Sequence, residues 1–128
     1  MTKFGIGQPV RRVEDQRFIT GQGRYTDDIN AAGQAYGYVL RSPTAHARIT
    51  RLDTAAAKAA PGVLLVVTGA EFDGAIPCYI PMTNRDGSKG AEPRHPVLCQ
   101  GEVNYAGQPV AFVVAETRIQ AKDAAELI

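Results

Sequence analysis

Pro109-Val110-Ala111-Phe112-Val113-Val114-Ala115-Glu116-Thr117-Arg118-Ile119-Gln120-Ala121 passes from a proline, through six apolar residues, to a threonine followed three positions later by a glutamine. Residues 109–115 have strand composition, and the proline stands at the first position, where its missing N–H costs no ladder hydrogen bond. Thr117 and Gln120 have capping-box spacing, which opens a helix by satisfying N–H groups that lack an intrahelical partner. Beyond them Ala121, Ala124, Ala125 and Ile128 share one helical face. A buried strand leading directly into an amphipathic helix implies a sheet with a helix packed on it.

Upstream, Val63-Leu64-Leu65-Val66-Val67 is apolar without alternation, which predicts a strand covered on both faces and the best candidate for the core. Before it, Asp53 or Thr54 is suited to cap a two-turn helix through Ala55-Ala56-Ala57-Lys58-Ala59-Ala60, and Pro61-Gly62 closes that helix. Residues 35–41 read as a strand stopped by Ser42-Pro43. Residues 47–53 read as a second strand whose parity breaks at Leu52, and residues 103–105 as a short one before the turn at Ala106-Gly107. Residues 69–102 carry Pro77, Pro81, Pro93 and Pro96, and are expected to be mostly loop. Residues 1–34 are punctuated by glycines and rich in Arg, Asp and Gln, so they are expected to hold little regular structure and to lie on another surface. The order is arm, β, β, α, β, long loop, β, β, α, an α+β sheet domain.

Composition narrows the function classes. The 128 residues are 45% apolar and 21% charged, suited to one hydrophobic core. Lys plus Arg number 14 against 13 Asp plus Glu, and the net charge of +1 recommends neither a nucleic-acid groove nor an anionic membrane surface. Met1-Thr2-Lys3-Phe4-Gly5 lacks the apolar run of a secretory signal, and no apolar stretch has the length of a membrane span, so a cytoplasmic protein is expected. Cys78 and Cys99 are read as separate reduced thiols.

Residues that could carry chemistry have plainer readings. Gly21-Gln22-Gly23 follows no apolar strand and opens no helix, which removes the context of a dinucleotide fingerprint. Gly87-Ser88-Lys89-Gly90 lacks the order of a phosphate loop and reads as a polar loop tip. His95 and Cys99 would share a helical face, but Pro96 between them opposes a helix. His46 has no carboxylate or nucleophile placed beside it by sequence and is expected to pack or hydrogen-bond. Asp27-Asp28 is expected to form a turn in which an aspartate accepts a backbone N–H. No catalytic, cofactor-binding or metal-ligating residue is assigned.

Several strings nevertheless occur together in one order: Gly7, Arg11-Arg12-Val13-Glu14-Asp15, Phe18, Thr20-Gly21, Gly23, Tyr25 and Asp27-Asp28; then Arg41-Ser42-Pro43, Ala45-His46-Ala47-Arg48-Ile49, Asp53-Thr54 and Pro61-Gly62-Val63; then Gly107-Gln108-Pro109-Val110-Ala111, Val113-Val114-Ala115-Glu116 and Ala124-Ala125. In this the chain resembles the start of molybdenum hydroxylase large subunits, the family of xanthine dehydrogenase, aldehyde oxidase and aerobic carbon monoxide dehydrogenase. The resemblance implies an α/β-hammerhead domain over residues 21–128, a mixed sheet with two helices, preceded by an extended N-terminal arm over residues 1–20.

It further implies a structural and docking domain of a molybdenum-dependent oxidoreductase, itself inactive. No cofactor is expected in this chain. The parent enzyme would use molybdopterin, or molybdopterin cytosine dinucleotide, with molybdenum, and [2Fe-2S] clusters and FAD on companion subunits or domains. The implied partners are the remainder of the large subunit and the iron-sulfur and flavin subunits; the charge of the arm, with little apolar content, suggests that Arg11, Arg12, Glu14 and Asp15 grip the parent subunit or its iron-sulfur partner. Relatives run on past the position of Ile128 into another strand, so a truncated piece is expected, with a severed edge able to pair with another copy. The rival reading is a stand-alone small-molecule or peptide binding module built on the loop of residues 75–96.

Overall fold

Seven residues at 109–115 form the central strand of a three-stranded sheet, because only they have apolar partners on both sides. In a computed structural model describing residues 7, 9, 11–71, 82–91 and 95–128, the chain divides into two compact units, Met1–Ala32 and Gly33–Ile128. The larger unit holds β1 (Tyr36–Arg41), β2 (Ala47–Arg48), α2 (Ala55–Ala59), β3 (Val63–Thr68), β4 (Glu102–Val103), β5 (Pro109–Ala115) and α3 (Arg118–Ala125). The β-β-α-β, β-β-α order is the one expected from the sequence. The sheet order is β1-β5-β3, with β2 and β4 paired in a separate ribbon.

Both helices lie on one face of the sheet. Ala57 of α2 and Ala124 and Ala125 of α3 pack with Val66 and Val113, and Tyr38, Leu40, Val63 and Ile128 close around them. Alanine is suited to this layer because it lets helix and sheet backbones approach closely while retaining helix propensity. Thr117 caps α3 by accepting the Gln120 N–H at 3.2 Å, and its hydroxyl donates to Gln120 Oε1 at 2.8 Å. At α2 the residue in the cap position is Thr54, but the carboxylate of Asp53 takes the Ala55 N–H at 3.0 Å. That bond and the Arg51 guanidinium hold the Asp53 carboxyl below its ordinary range. A second cluster, Cys99, Val103 and Val110 with Leu40, Ala47 and Ile49, fills the space under the ribbon.

Four expectations are corrected. β3 is an edge strand, not one covered on both faces: Leu64 is 59% and Leu65 51% exposed, since a run at the margin of a three-stranded sheet has no second layer over it. Every described ladder is antiparallel, where a mixed sheet was expected, because β1 and β3 both run against the central β5 and never meet each other. The strand expected over residues 47–53 pairs only at Ala47 and Arg48. After one further backbone bond, from the Ile49 N–H to the Gly101 carbonyl at 2.8 Å, the chain leaves the ribbon toward α2. Residues 103–105 likewise shrink to a strand of Glu102–Val103.

The smaller unit holds more regular structure than its composition suggests. α1 (Asp15–Ile19) ends at Thr20, and Gly21, at φ 73°, lets the chain reverse. The Gly21 N–H then reaches the Phe18 carbonyl at 3.1 Å and the Gln22 N–H the Arg17 carbonyl at 2.9 Å, the paired bonds of a Schellman motif. A 3-10 turn at Thr26–Asp28 follows, and Phe18 stacks on Tyr25 with ring centroids 5.5 Å apart. Even so, α1 has no buried residue. Of the expected long loop, residues 82–91 form a hairpin bridged between Thr83 and Lys89. Cys78, Pro77, Pro81 and Pro93, named above, lie outside the described residues.

Candidate functional site

One group of hydrogen-bonded polar residues lies where β1 ends and β5 begins. Arg41 donates from Nη1 to the Gly107 carbonyl at 2.9 Å. The Ser42 N–H donates to the Gln108 carbonyl at 2.9 Å, and the Gly107 N–H returns a bond to the Ser42 carbonyl at 2.8 Å. Gly107 sits at φ 87°, a conformation that disfavours any side chain. The strings Arg41-Ser42-Pro43 and Gly107-Gln108-Pro109, far apart in sequence, are therefore the two halves of one backbone clasp.

Two buried side chains complete it. Ser42, 8% exposed, accepts the Thr44 N–H at 3.1 Å and donates to the Thr44 carbonyl at 2.9 Å. Gln108, 4% exposed, accepts the Asn104 N–H on Oε1 at 2.6 Å. The described residues leave no buried side-chain polar atom without a partner. Gln108 was not picked out as buried by the sequence reading because a glutamine inside Gly-x-Pro gives no sign of burial; the signal available was its place between a turn glycine and a strand proline.

His46 leaves the clasp on its exposed side with Nε2 2.9 Å from Glu102 Oε1, just before the ribbon pairs Ala47 with Val103 and Arg48 with Glu102. The ribbon thus supplies the carboxylate that local sequence could not place beside His46. The pair is exposed on both sides, 72% for the histidine and 50% for the glutamate. The Ser42 hydroxyl is committed to the Thr44 backbone and is not aligned on His46 as a nucleophile would be.

The remaining candidates take structural places. Asp28 accepts the Tyr25 N–H at 2.8 Å, as expected of an aspartate turn. Asp86 accepts the Ser88 N–H at 2.9 Å and the Ser88 hydroxyl at 2.6 Å, making Gly87-Ser88-Lys89-Gly90 a self-bonded hairpin tip. These bonds hold the Asp86 carboxyl below its ordinary range. Gly21 of the Gly-x-Gly string is the helix terminator described above. His95 is exposed, whereas Cys99 is a buried free thiol pushed up by loss of solvation.

This donor set does not fit a resident molybdenum cofactor. Its histidines and cysteine do not converge, and no three His, Cys, Asp or Glu side chains gather into a metal-sized group among the described residues. Neither glycine-containing string opens a helix whose N–H groups could cradle a phosphate. What the clasp does is fix the register of β1 on β5.

The chain that carries this clasp on a β-β-α-β, β-β-α frame is matched over residues 20–128 by a known family model, "aldehyde oxidase and xanthine dehydrogenase, a/b hammerhead domain". The chain belongs to that family. Among solved structures, its hammerhead superposes on quinoline 2-oxidoreductase from Pseudomonas putida 86 with a TM-score of 0.78 and 40% identity, covering 98% of this chain and 16% of that one. It superposes on the Cu,Mo-CO dehydrogenase in its carbon monoxide reduced state with a TM-score of 0.74 and 42% identity, covering 96% of this chain and 15% of that one. In sequence it is 41% identical over 128 residues to the nicotine 6-hydroxylase large subunit of Paenarthrobacter nicotinovorans. The chain spans all of itself and only 15% of that relative.

Proposed function

We propose that this chain serves as the structural and docking hammerhead of the molybdopterin-binding large subunit of a molybdenum hydroxylase, and that it performs no chemistry alone. The observation that carries the reading is a family match across residues 20–128 on a domain whose distinctive strings are spent on a backbone clasp. In support, a 36% identical relative from Escherichia coli K12 is named an aldehyde oxidoreductase molybdenum-binding subunit. On this reading molybdopterin, [2Fe-2S] clusters and flavin are held by polypeptide other than these residues. The partners are the rest of a large subunit and iron-sulfur and flavin subunits, and the compartment is the cytoplasm.

The arm over residues 1–20 belongs to the same proposal. Arg11, Arg12, Glu14 and Asp15 are all exposed, with Glu14 taking an ion pair from Arg17. Such charge with no buried residue on α1 suits a segment that grips a charged surface of a partner.

The test replaces the matched segment of the nicotine 6-hydroxylase large subunit with this chain. The expected result is a soluble large subunit that assembles with its companions and takes up molybdenum. A chimera that stays unassembled and metal-free, while the native subunit handled identically loads, refutes the proposal. Deleting residues 1–20 from the chimera is expected to weaken assembly and to make what remains less sensitive to salt.

A further inference from the structure

The two helices cover one face of the β1-β5-β3 sheet, and the opposite face is apolar without a described cover. Register places Val39 of β1, Phe112 of β5 and Val67 of β3 in one row across it. Gly37, Val114 and Leu65 make the next row. A Cβ at Gly37 would stand 2.6 Å from the tip of the Phe112 ring, so the glycine leaves room for that ring on this face. Beside the first row, Val97 and Leu98 wall a groove of about 450 Å³. Val97 of the groove is 42% exposed, and Leu65, in the next row of the same face, 51%. Arg41, the one charged lining residue, has its guanidinium turned to the Gly107 carbonyl.

We infer that this open sheet face is the surface on which the rest of the large subunit docks, presenting an apolar side chain that fills the groove between β1, β5 and the residue 97–98 loop. The inference rests on the docking reading above and deepens it by naming the face. Two observations point to the occupant. The nicotine 6-hydroxylase large subunit holds several times more chain than is matched here, 15% of its length being covered, so polypeptide of the needed extent accompanies a hammerhead in it. The groove lining is apolar apart from the single cation Arg41, which suits an apolar side chain of a polypeptide better than an anionic ligand or nucleic acid.

The experiment uses the nicotine 6-hydroxylase large subunit lacking the segment matched by this chain, first shown to accept its own segment supplied in trans. The full 128-residue chain is titrated against it, as are Leu65→Asp on the open face and Ile119→Asp on the helix layer, a residue 73% exposed. Leu65→Asp is expected to weaken association at least about tenfold, and Ile119→Asp by less than about twofold. Equal binding by both variants overturns the face while leaving the docking reading intact; failure of the unaltered chain to bind sinks the docking reading itself. Sedimentation and thermal melting of the isolated chain complete the test. A dimer that Leu65→Asp disperses gives the face to a second copy and overturns the assignment, as does a large loss of melting temperature with association unchanged, which means the groove is filled from within this chain.

Discussion

Along β5 the side chains alternate between two environments that their identities do not distinguish. Ala111, Val113 and Ala115 have no exposure at all, while Phe112 and Val114, between them, are half-buried. Val113 of the first set packs with the alanines of α2 and α3; the second set shares its face with neighbours on β1 and β3, and Phe112 also lines the groove beside Val97 and Leu98. A strand apolar on both faces is thus not necessarily a strand covered on both faces. The uniform composition that would ordinarily place 109–115 inside a doubly covered sheet here marks one face that closes the domain and one that is available to something else.

The largest effect should come from moving a charge from one face to the other. Val113→Asp puts a carboxylate among fully shielded apolar groups and should cost about 4 kcal/mol or more, enough to abolish a cooperative thermal transition. Leu65→Asp, on the open face, should cost the isolated chain less than about 1 kcal/mol. Equal losses at the two positions, measured by urea denaturation, would break the comparison. Ala124→Leu tests how tightly the covered face is packed: at 1% exposure it should overpack the helix layer by about 1–3 kcal/mol.

Gly62, which links α2 to β3, probes the same layer from its rim. It holds φ 75°, and a Cβ there would strike the Gln120 carboxamide of α3. Its carbonyl also takes the Glu116 N–H at 2.9 Å. Gly62→Ala should therefore cost roughly 1–2 kcal/mol, read as a lower denaturation midpoint with an unchanged slope.

The smallest effect concerns pH. Glu71 accepts Lys58 Nζ of α2 at 3.0 Å on one oxygen, and the Thr68 N–H at 2.9 Å and hydroxyl at 3.1 Å on the other, pinning α2 to the end of β3. The Lys58 bond first, then the Thr68 bonds, lower its pKa from the ordinary 4.5. A carboxyl lowered on folding contributes stability above its unfolded value, and that contribution is lost as pH falls from there through the folded value. Because Glu71 is solvated, the contribution is small. Glu71→Gln should flatten the acid side of a melting temperature against pH profile below pH 4.5 while leaving its neutral region nearly level. An unchanged acid slope would detach Glu71 from the helix-bearing face.

Local chemistry alone determined the elements: the Thr117–Gln120 cap, the Pro61-Gly62 stop, the proline-led strand at 109 and the alanine face of α3 each rest on contacts within a few residues, so they are legible from one segment at a time. The aspartate turn at Asp28 and the hairpin tip at Asp86 were legible for the same reason. The resemblance carried by Arg41-Ser42-Pro43 and Gly107-Gln108-Pro109 named the family, but not why those strings matter.

Tertiary structure decided what depends on partners distant in the chain. It joined those two strings in a clasp, paired His46 with Glu102, buried Gln108, and made β3 an edge strand in place of a core one. The physical reason is that apolar composition states what a side chain can tolerate, whereas burial depends on whether a second layer reaches it. In this hammerhead the helices supply that layer on one face of the sheet only.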